Sequence, residues 1–293
     1  MAQFHFVEDY EAYVRKLLKD MPRKQAMEEA IGGAFDHVGE IEAQLLGYAG
    51  LKDGMYLVDL GCGSGRAASA LGKRFEIDYL GLDVVQDLLD YASEISPPNY
   101  RFQLNHALTL PVADASVDMF CCFSVFTHLL HSETYLYLEE MARALTPDGR
   151  IVFSFLEFLQ PGHWAVFNGT VEGQRTSQVP HLNMFIERGA IEAWCKRLGL
   201  EIVRFVDGTD GSPWGGAPLG QSIAILALGE KRKARPFSPA EHDRLRAQLA
   251  TKTQAIESMA TELDLARAEI DVLKQSRSWR VTAPLRALRR VLG

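Results

Sequence analysis

Between residues 55 and 156 short apolar runs alternate with amphipathic stretches. The runs predict strands over 55–60, 77–82, 101–104, 118–123 and 150–156, with helices over 66–75, 86–94 and 133–145 between them. Alternation of this kind implies a parallel sheet that binds ligands at the strand C-termini. A further helix, 187–198, and two more strands, 201–206 and 221–228, close the region. Residues 1–50 lack strand signals and predict helices over 10–19 and 24–47, with Pro22 between them. A charged, proline-punctuated linker follows at 231–240. Beyond it Leu249, Ile256, Leu263 and Ile270 recur every seven residues, with Leu245, Lys252, Met259, Ala266 and Leu273 interleaved. The repeat predicts a coiled coil over 241–275, or one amphipathic helix lying on its own domain. In the last stretch, 276–293, Leu285, Leu288, Val291 and Leu292 alternate with Arg286, Arg289 and Arg290 behind Trp279. Such a segment reads as a basic amphipathic helix for an anionic membrane surface, or as a disordered basic tail.

The densest signal is Val58-Asp59-Leu60-Gly61-Cys62-Gly63-Ser64-Gly65-Arg66. A buried strand ends in an acid, three glycines turn the chain, and a helix begins. Glycine lets backbone approach a ligand without a Cβ clash, which is what a nucleotide-cofactor site requires. A second acid, Asp83, ends the next strand. Asp59-Leu60-Gly61-Cys62-Gly63-Ser64-Gly65 is similar to the first motif of the class I S-adenosylmethionine (SAM)-dependent methyltransferases, and Gly81-Leu82-Asp83 resembles their second-strand acid. The stretch from Leu110 to Asp118 resembles the approach to their fourth strand, and Leu145-Thr146-Pro147-Asp148-Gly149-Arg150 the turn before their fifth.

That resemblance implies an α/β, Rossmann-like seven-stranded sheet of order 3-2-1-4-5-7-6 over 51–230, its last strand antiparallel. The helices of 1–50 would then cover the cofactor and substrate side, or merely pack on the sheet. It implies SAM as cofactor, with Asp59, Gly61, Gly63 and Gly65 along the methionine part, Asp83 on the ribose hydroxyls and Val84 beside the adenine. Cys62 stands where small residues are common. The acid that usually meets the adenine amino group is replaced by His106, so the Ala107 backbone or the Asn105 amide is left for that contact. Arg66 either approaches the cofactor or caps the turn. Ser124 to His128 follow the fourth strand and face the methyl donor.

A sugar hydroxyl has a high pKa and profits from a general base in methyl transfer. His128 is the base candidate by position, the alternative being that it lines the cofactor pocket or bonds backbone, with Glu157 and His163 at the next strand end as further catalytic candidates. Residues 158–185 exceed an ordinary βα loop and read as a substrate lid carrying His181. Trp164 and Trp214 suit stacking on a sugar face, or ordinary packing.

Composition narrows the class. At 47% hydrophobic and 24% charged the 293 residues are those of a globular protein. Net charge is −7, yet no acid follows Asp271 while six basic residues do, so the body is more acidic than the whole. That argues against a nucleic-acid partner. The four cysteines, Cys62, Cys121, Cys122 and Cys195, lack metal-ligand spacing and read as reduced thiols of a cytoplasmic protein, with no metal. No run reaches the roughly 18 apolar residues of a membrane span. The segment Ser276 to Arg286 resembles a tail motif of bacterial surface-polysaccharide enzymes. The expectation is therefore a methyltransferase of a sugar or glycan, lipid-linked in one version. It would be a homo-oligomer through 241–275, peripheral on the inner face of the cell membrane through 276–293. The alternatives are a methyltransferase of a soluble small molecule and a non-catalytic SAM-binding scaffold for glycosyltransferases.

Overall fold

The computed structural model describes residues 5–176 and 183–230. The chain divides into two compact units, 1–236 and 237–293. The linker, the heptad segment, the basic tail and His181 lie outside the described residues.

Three helices precede the sheet: α1 (His5–Asp20), α2 (Arg23–Ala30) and α3 (Phe35–Tyr48). The sequence predicts one helix over 24–47, and the structure splits it. Gly32, Gly33 and Ala34 take positive φ of 86°, 70° and 48°, a conformation that ends α2 and redirects the chain. Then come β1 (Tyr56–Leu60), α4 (Arg66–Leu71), β2 (Asp78–Asp83), α5 (Gln86–Ile95), β3 (Arg101–Leu104), β4 (Val117–Cys122), α6 (His131–Ala144), β5 (Leu145–Phe155), α7 (Trp164–Arg175), α8 (Arg188–Leu198), β6 (Leu200–Val206) and β7 (Ser222–Leu228). Helix α4 stops earlier than the pattern predicts, at Gly72, where the chain passes hard against Pro97. Strand β5 starts earlier because Val117 pairs with Leu145 ahead of the main ladder.

The sheet order is β3-β2-β1-β4-β5-β7-β6, as expected. Strands β1 to β5 pair in parallel, and β7 runs antiparallel between β5 and β6. Both faces are buried, which is why the central strands read as unbroken apolar runs. Val58, Leu60, Phe120, Cys122, Phe153 and Leu226 face α6 and α8, where Leu138, Met141, Ile191 and Leu198 meet them. Leu57, Tyr79, Met119, Cys121, Val152 and Ile225 face Leu45, Leu46, Ala68 and Leu71 of α3 and α4. Neighbouring Cys121 and Cys122 thus point into opposite layers, and all four thiols are buried and unpaired in disulfides. Helices α1 and α2 pack on Val85 and Leu88 after β2, rather than on the main sheet faces.

Two motifs act as stitching at the base of the sheet. Asp118 accepts the Tyr56 amide at 2.9 Å and the Thr146 hydroxyl at 3.2 Å, tying β1, β4 and β5 together. The buried Arg143 guanidinium donates to Asp114, Glu140 and the carbonyls of Leu110 and Val112, pinning the approach to β4 onto α6. Among the described residues no helix is long and apolar enough to cross a membrane.

Candidate active site

The turn after β1 is built from glycines that no other residue replaces without strain. Gly61, Gly63 and Gly65 hold φ of 75°, 54° and 84°. A Cβ on Gly61 would strike Val125, and one on Gly63 would lie 2.7 Å from Ile31. The turn is anchored to β2: the amides of Gly61 and Cys62 donate to the Leu82 carbonyl at 2.7 and 3.0 Å. Asp83 completes the cradle. Its Oδ2 accepts the Gly63 amide at 2.8 Å, and its Oδ1 accepts those of Val84 and Val85 at 2.8 and 3.0 Å. A carboxylate has about four acceptor positions, so these three bonds aim it and leave one for a ligand hydroxyl. Burial pushes its pKa up, against the three amides that pull it down.

Asp59 sits deeper. It is 2% exposed and accepts the Tyr79 hydroxyl at 2.6 Å. Burial raises its carboxyl to about 7. It lies beneath the glycine turn, in the layer shared with Tyr79 and Cys121. Arg66 is turned away from the cradle: it donates to Glu42 at 2.6 Å and to the Ile31 carbonyl at 3.1 Å, joining α4 to α3 and to the end of α2. The Ser64 hydroxyl donates to the Met27 carbonyl at 2.9 Å, a second tie between turn and cover.

The cover includes a residue that the sequence pattern does not single out. Tyr10 of α1 donates to the Ala30 carbonyl at 3.0 Å and lies close enough to Asp83 for that carboxylate, after burial itself, to raise its pKa. So α1 and α2 stand over the Asp83 end of the cradle. His106 is exposed, and its Nε2 lies 2.8 Å from the Val84 carbonyl. The Asn105 amide is spent on the carbonyls of Ala107 and Thr109, each at 3.1 Å, while the Ala107 carbonyl also accepts the Tyr137 hydroxyl. This rim lies beside Val84.

The other half of the site lies at the ends of β4, β5 and β7. Ser124 takes φ of 59°, a strained value for a residue other than glycine. Val125 rests against Gly61, and the Thr127 hydroxyl donates back to the Ser124 carbonyl at 3.0 Å. The His128 amide closes the turn on the Val125 carbonyl, leaving the ring half-buried at the β4 end. His131 is placed differently: its Nε2 lies 2.9 Å from the Phe185 carbonyl, against the lid.

Glu157 and His163 lie side by side, but inside the protein. Glu157 is 1% exposed; it accepts both Nε and Nη2 of Arg188, the latter at 2.7 Å, and the Ser222 hydroxyl at 2.5 Å. Arg188 also pairs with Asp207. His163 stacks its contacts on backbone, with Nδ1 3.0 Å from the Glu157 amide and Nε2 3.2 Å from the Gly220 carbonyl. Together they lock β5, α8 and the start of β7. Their polar atoms are committed within that lock, whereas His128 belongs to the turn whose Val125 rests against Gly61.

The segment 158–185 contains helix α7, none of whose residues is buried. Phe158, Trp164, Phe167 and Phe185 form one aromatic cluster there, with Phe158 and Trp164 partly exposed. Trp214 instead packs by Tyr48 of α3 and donates to the Ala217 carbonyl. Among the described residues no group of three or more His, Cys, Asp or Glu is placed to hold a metal.

Residues 58–153 match the methyltransferase domain family. The chain is 27% identical to the biotin biosynthesis bifunctional protein BioHC of Cellvibrio japonicus over 67% of its own length and 37% of that protein. It is 27% identical to the O-methyltransferase resE of Aspergillus sclerotiorum over 35% of its length and 40% of that protein. It therefore spans about two fifths of these curated relatives. The fold is similar to that of magnesium protoporphyrin IX methyltransferase from Synechocystis with bound SAH, at 15% identity and a TM-score of 0.54, covering 76% of this chain and 97% of that one. A putative methyltransferase of Haloferax volcanii, in complex with its Trm112 activator, is similar at 18% identity and a TM-score of 0.54, over 75% of this chain and 98% of that chain. With its glycine turn, its aimed Asp83 and its sheet order, the region 58–153 matches the methyltransferase domain family, its fold is similar to that of these methyltransferases, and SAM is the cofactor that this cradle fits.

Proposed function

We propose that this chain is a SAM-dependent methyltransferase that methylates an oxygen of a sugar or glycan. The observation that carries methyl transfer is the junction of the two half-sites: Val125, from the β4 turn that presents His128, rests on Gly61 of the cradle. A donor held along the glycine turn and an acceptor held at the β4 end would therefore meet. SAM, when bound, supplies a methyl group already activated by its sulfonium. The chain's own work is then to position the acceptor, move one proton and keep water out. Asp83 would take a ribose hydroxyl at its remaining acceptor position, and the glycine turn would line the methionine part. His128 would remove the proton of the acceptor hydroxyl. Helices α1 and α2, tied to the turn through Ser64 and Arg66, would shield the cradle from solvent.

The glycan acceptor rests on the tail motif at 276–286, with oligomerisation through 241–275 and an anionic membrane surface for 276–293 as parts of the same reading. A second reading, methylation of a soluble small molecule, is supported by relatives such as the O-methyltransferase resE.

Transfer of labelled methyl from SAM into fractions of the source organism lacking this gene, with purified protein added, tests both. Label in a glycan or lipid-linked glycan is the expected result. Label only in small soluble compounds moves the assignment to the second reading. No label despite measured SAM binding overturns methyl transfer altogether and favours a SAM-binding scaffold.

A further inference from the structure

Three residues that touch one another across the sheet form a directed hydrogen-bond chain on the acceptor side. The Ser124 amide donates to the Ser154 hydroxyl oxygen at 2.8 Å. The Ser154 hydroxyl donates to Gln221 Oε1 at 2.7 Å, and Gln221 Nε2 donates to the Ser124 hydroxyl oxygen at 3.1 Å. Ser124 follows β4, Ser154 lies near the end of β5 and Gln221 directly precedes β7, so the chain starts beside the glycine turn and runs away from β1 and β2. That is the side opposite the cradle.

The direction of this chain is fixed by burial. Ser154 is 0% exposed, and its proton has Gln221 Oε1 as its acceptor. Turning the amide over would leave that buried hydroxyl proton without an acceptor, a cost of roughly 1–3 kcal/mol. The amide is thus held with its nitrogen toward Ser124. A hydroxyl whose oxygen accepts from an amide N–H must send its own proton elsewhere. Ser124 is half-buried, and its proton goes to no group among the described residues. The strained φ of 59° is what holds the side chain in this position.

We infer that Gln221 acts through Ser124 as a positioning device for the methyl acceptor, making the Ser124 hydroxyl an obligate donor to an acceptor oxygen. This rests on the methyltransferase reading above. Donation to the oxygen being methylated would drain its nucleophilicity. The partner is therefore a second oxygen lone pair near it: a vicinal hydroxyl, a ring or carbonyl oxygen, or a carboxylate. The acceptor class is one with two neighbouring oxygens, and not a lone alcohol on an apolar frame.

The test uses two variants of the full chain. Ser124→Gly removes the donor and relieves the backbone strain, so the protein melts no lower than the native chain. Gln221→Glu keeps the shape and the bond from Ser154 but turns the Ser124 proton inward. Each is titrated with SAM by calorimetry and assayed with methyl-labelled SAM against a dilution series of extract from cells lacking the gene. The expected result is unchanged SAM affinity with the apparent acceptor KM raised, and transfer at low extract cut by roughly 10- to 100-fold. The double variant should be no worse than the weaker single one, because both remove the same bond. Unchanged transfer in either variant overturns the inference and leaves the methyltransferase reading intact. Loss of SAM affinity in both moves the device to the cofactor and overturns it equally. If the native protein itself binds SAM but transfers no label, the underlying reading falls and this inference with it.

Discussion

The half of this site proposed for the cofactor and the half proposed for the acceptor are built in different ways. In the cofactor half, Asp59, the glycine turn and Asp83 lie within one βαβ unit, and the three amides that aim Asp83 come from residues 63, 84 and 85. In the acceptor half, Ser124 meets Gln221 across a separation of 97 residues, Ser222 meets Glu157 across 65 and Arg188 meets Glu157 across 31. The first half is made by geometry contained within that unit. The second exists only once β7 has inserted antiparallel between β5 and β6, bringing Gln221 and Ser222 to the strand ends where ligands bind. A local turn tolerates little variation. An assembly of distant side chains can be rewired without disturbing the cradle, and that is where acceptor choice would reside.

The comparison breaks most visibly at Glu157. Glu157→Ala leaves Arg188 and the Ser222 hydroxyl facing an empty buried site. Arg188 is 32% exposed and keeps Asp207, so water and that second carboxylate offset part of the loss. Roughly 2–3 kcal/mol of destabilisation is expected, or a melting temperature lower by roughly 5–10 °C. If the acceptor half is a separate assembly, SAM affinity measured below the melt stays within error of the native value; coupled loss of affinity would show that the halves are one. Next is Asp83→Asn, which sets an amide group against at least one of three backbone N–H donors. SAM should bind roughly 10- to 100-fold more weakly in a calorimetric titration, and an unchanged Kd would place the ribose elsewhere. His128→Asn should cut labelled-methyl transfer by roughly 100-fold. Full activity in that variant would mean that the acceptor needs no base from this position.

The same contrast decides what could be read from the chain. The glycine turn and Asp83 are legible because each is announced within a few residues; the sheet order follows only from the family resemblance those motifs carry, since spacing alone does not give it. Periodicity alone joins α3 to α2 across Ile31-Gly32-Gly33; the left-handed backbone there outweighs it. Position alone puts Glu157 and His163 among the catalytic candidates. Nothing local shows that Arg188 fills the one and that the other is held by the backbone of Glu157 and Gly220. Tyr10 and Gln221 gave no signal, since one reads as part of an amphipathic helix and the other as a strand start. The groups they act with, the Ala30 carbonyl and the Ser124 hydroxyl, are remote in sequence.

Asp59 offers the finest test, because it belongs to the local half yet touches only the core. Burial raises its carboxyl to about 7, and the Tyr79 hydroxyl at 2.6 Å only partly opposes that. In the unfolded chain an aspartate titrates near about 3.9. Between those values the native state keeps a proton that the unfolded chain has released, so stability falls as pH rises, by at most about 1.4 kcal/mol per pH unit. The penalty is absent below the unfolded value and complete above the native one. Asp59→Asn removes the titrating group and keeps an oxygen for Tyr79. Its melting temperature should therefore match the native protein's most nearly near pH 4 and exceed it increasingly toward pH 8. A constant offset across that range would mean that Asp59 is ionised throughout. In that case its charge is balanced inside the fold, and the cofactor half is less self-contained than its sequence spacing suggests.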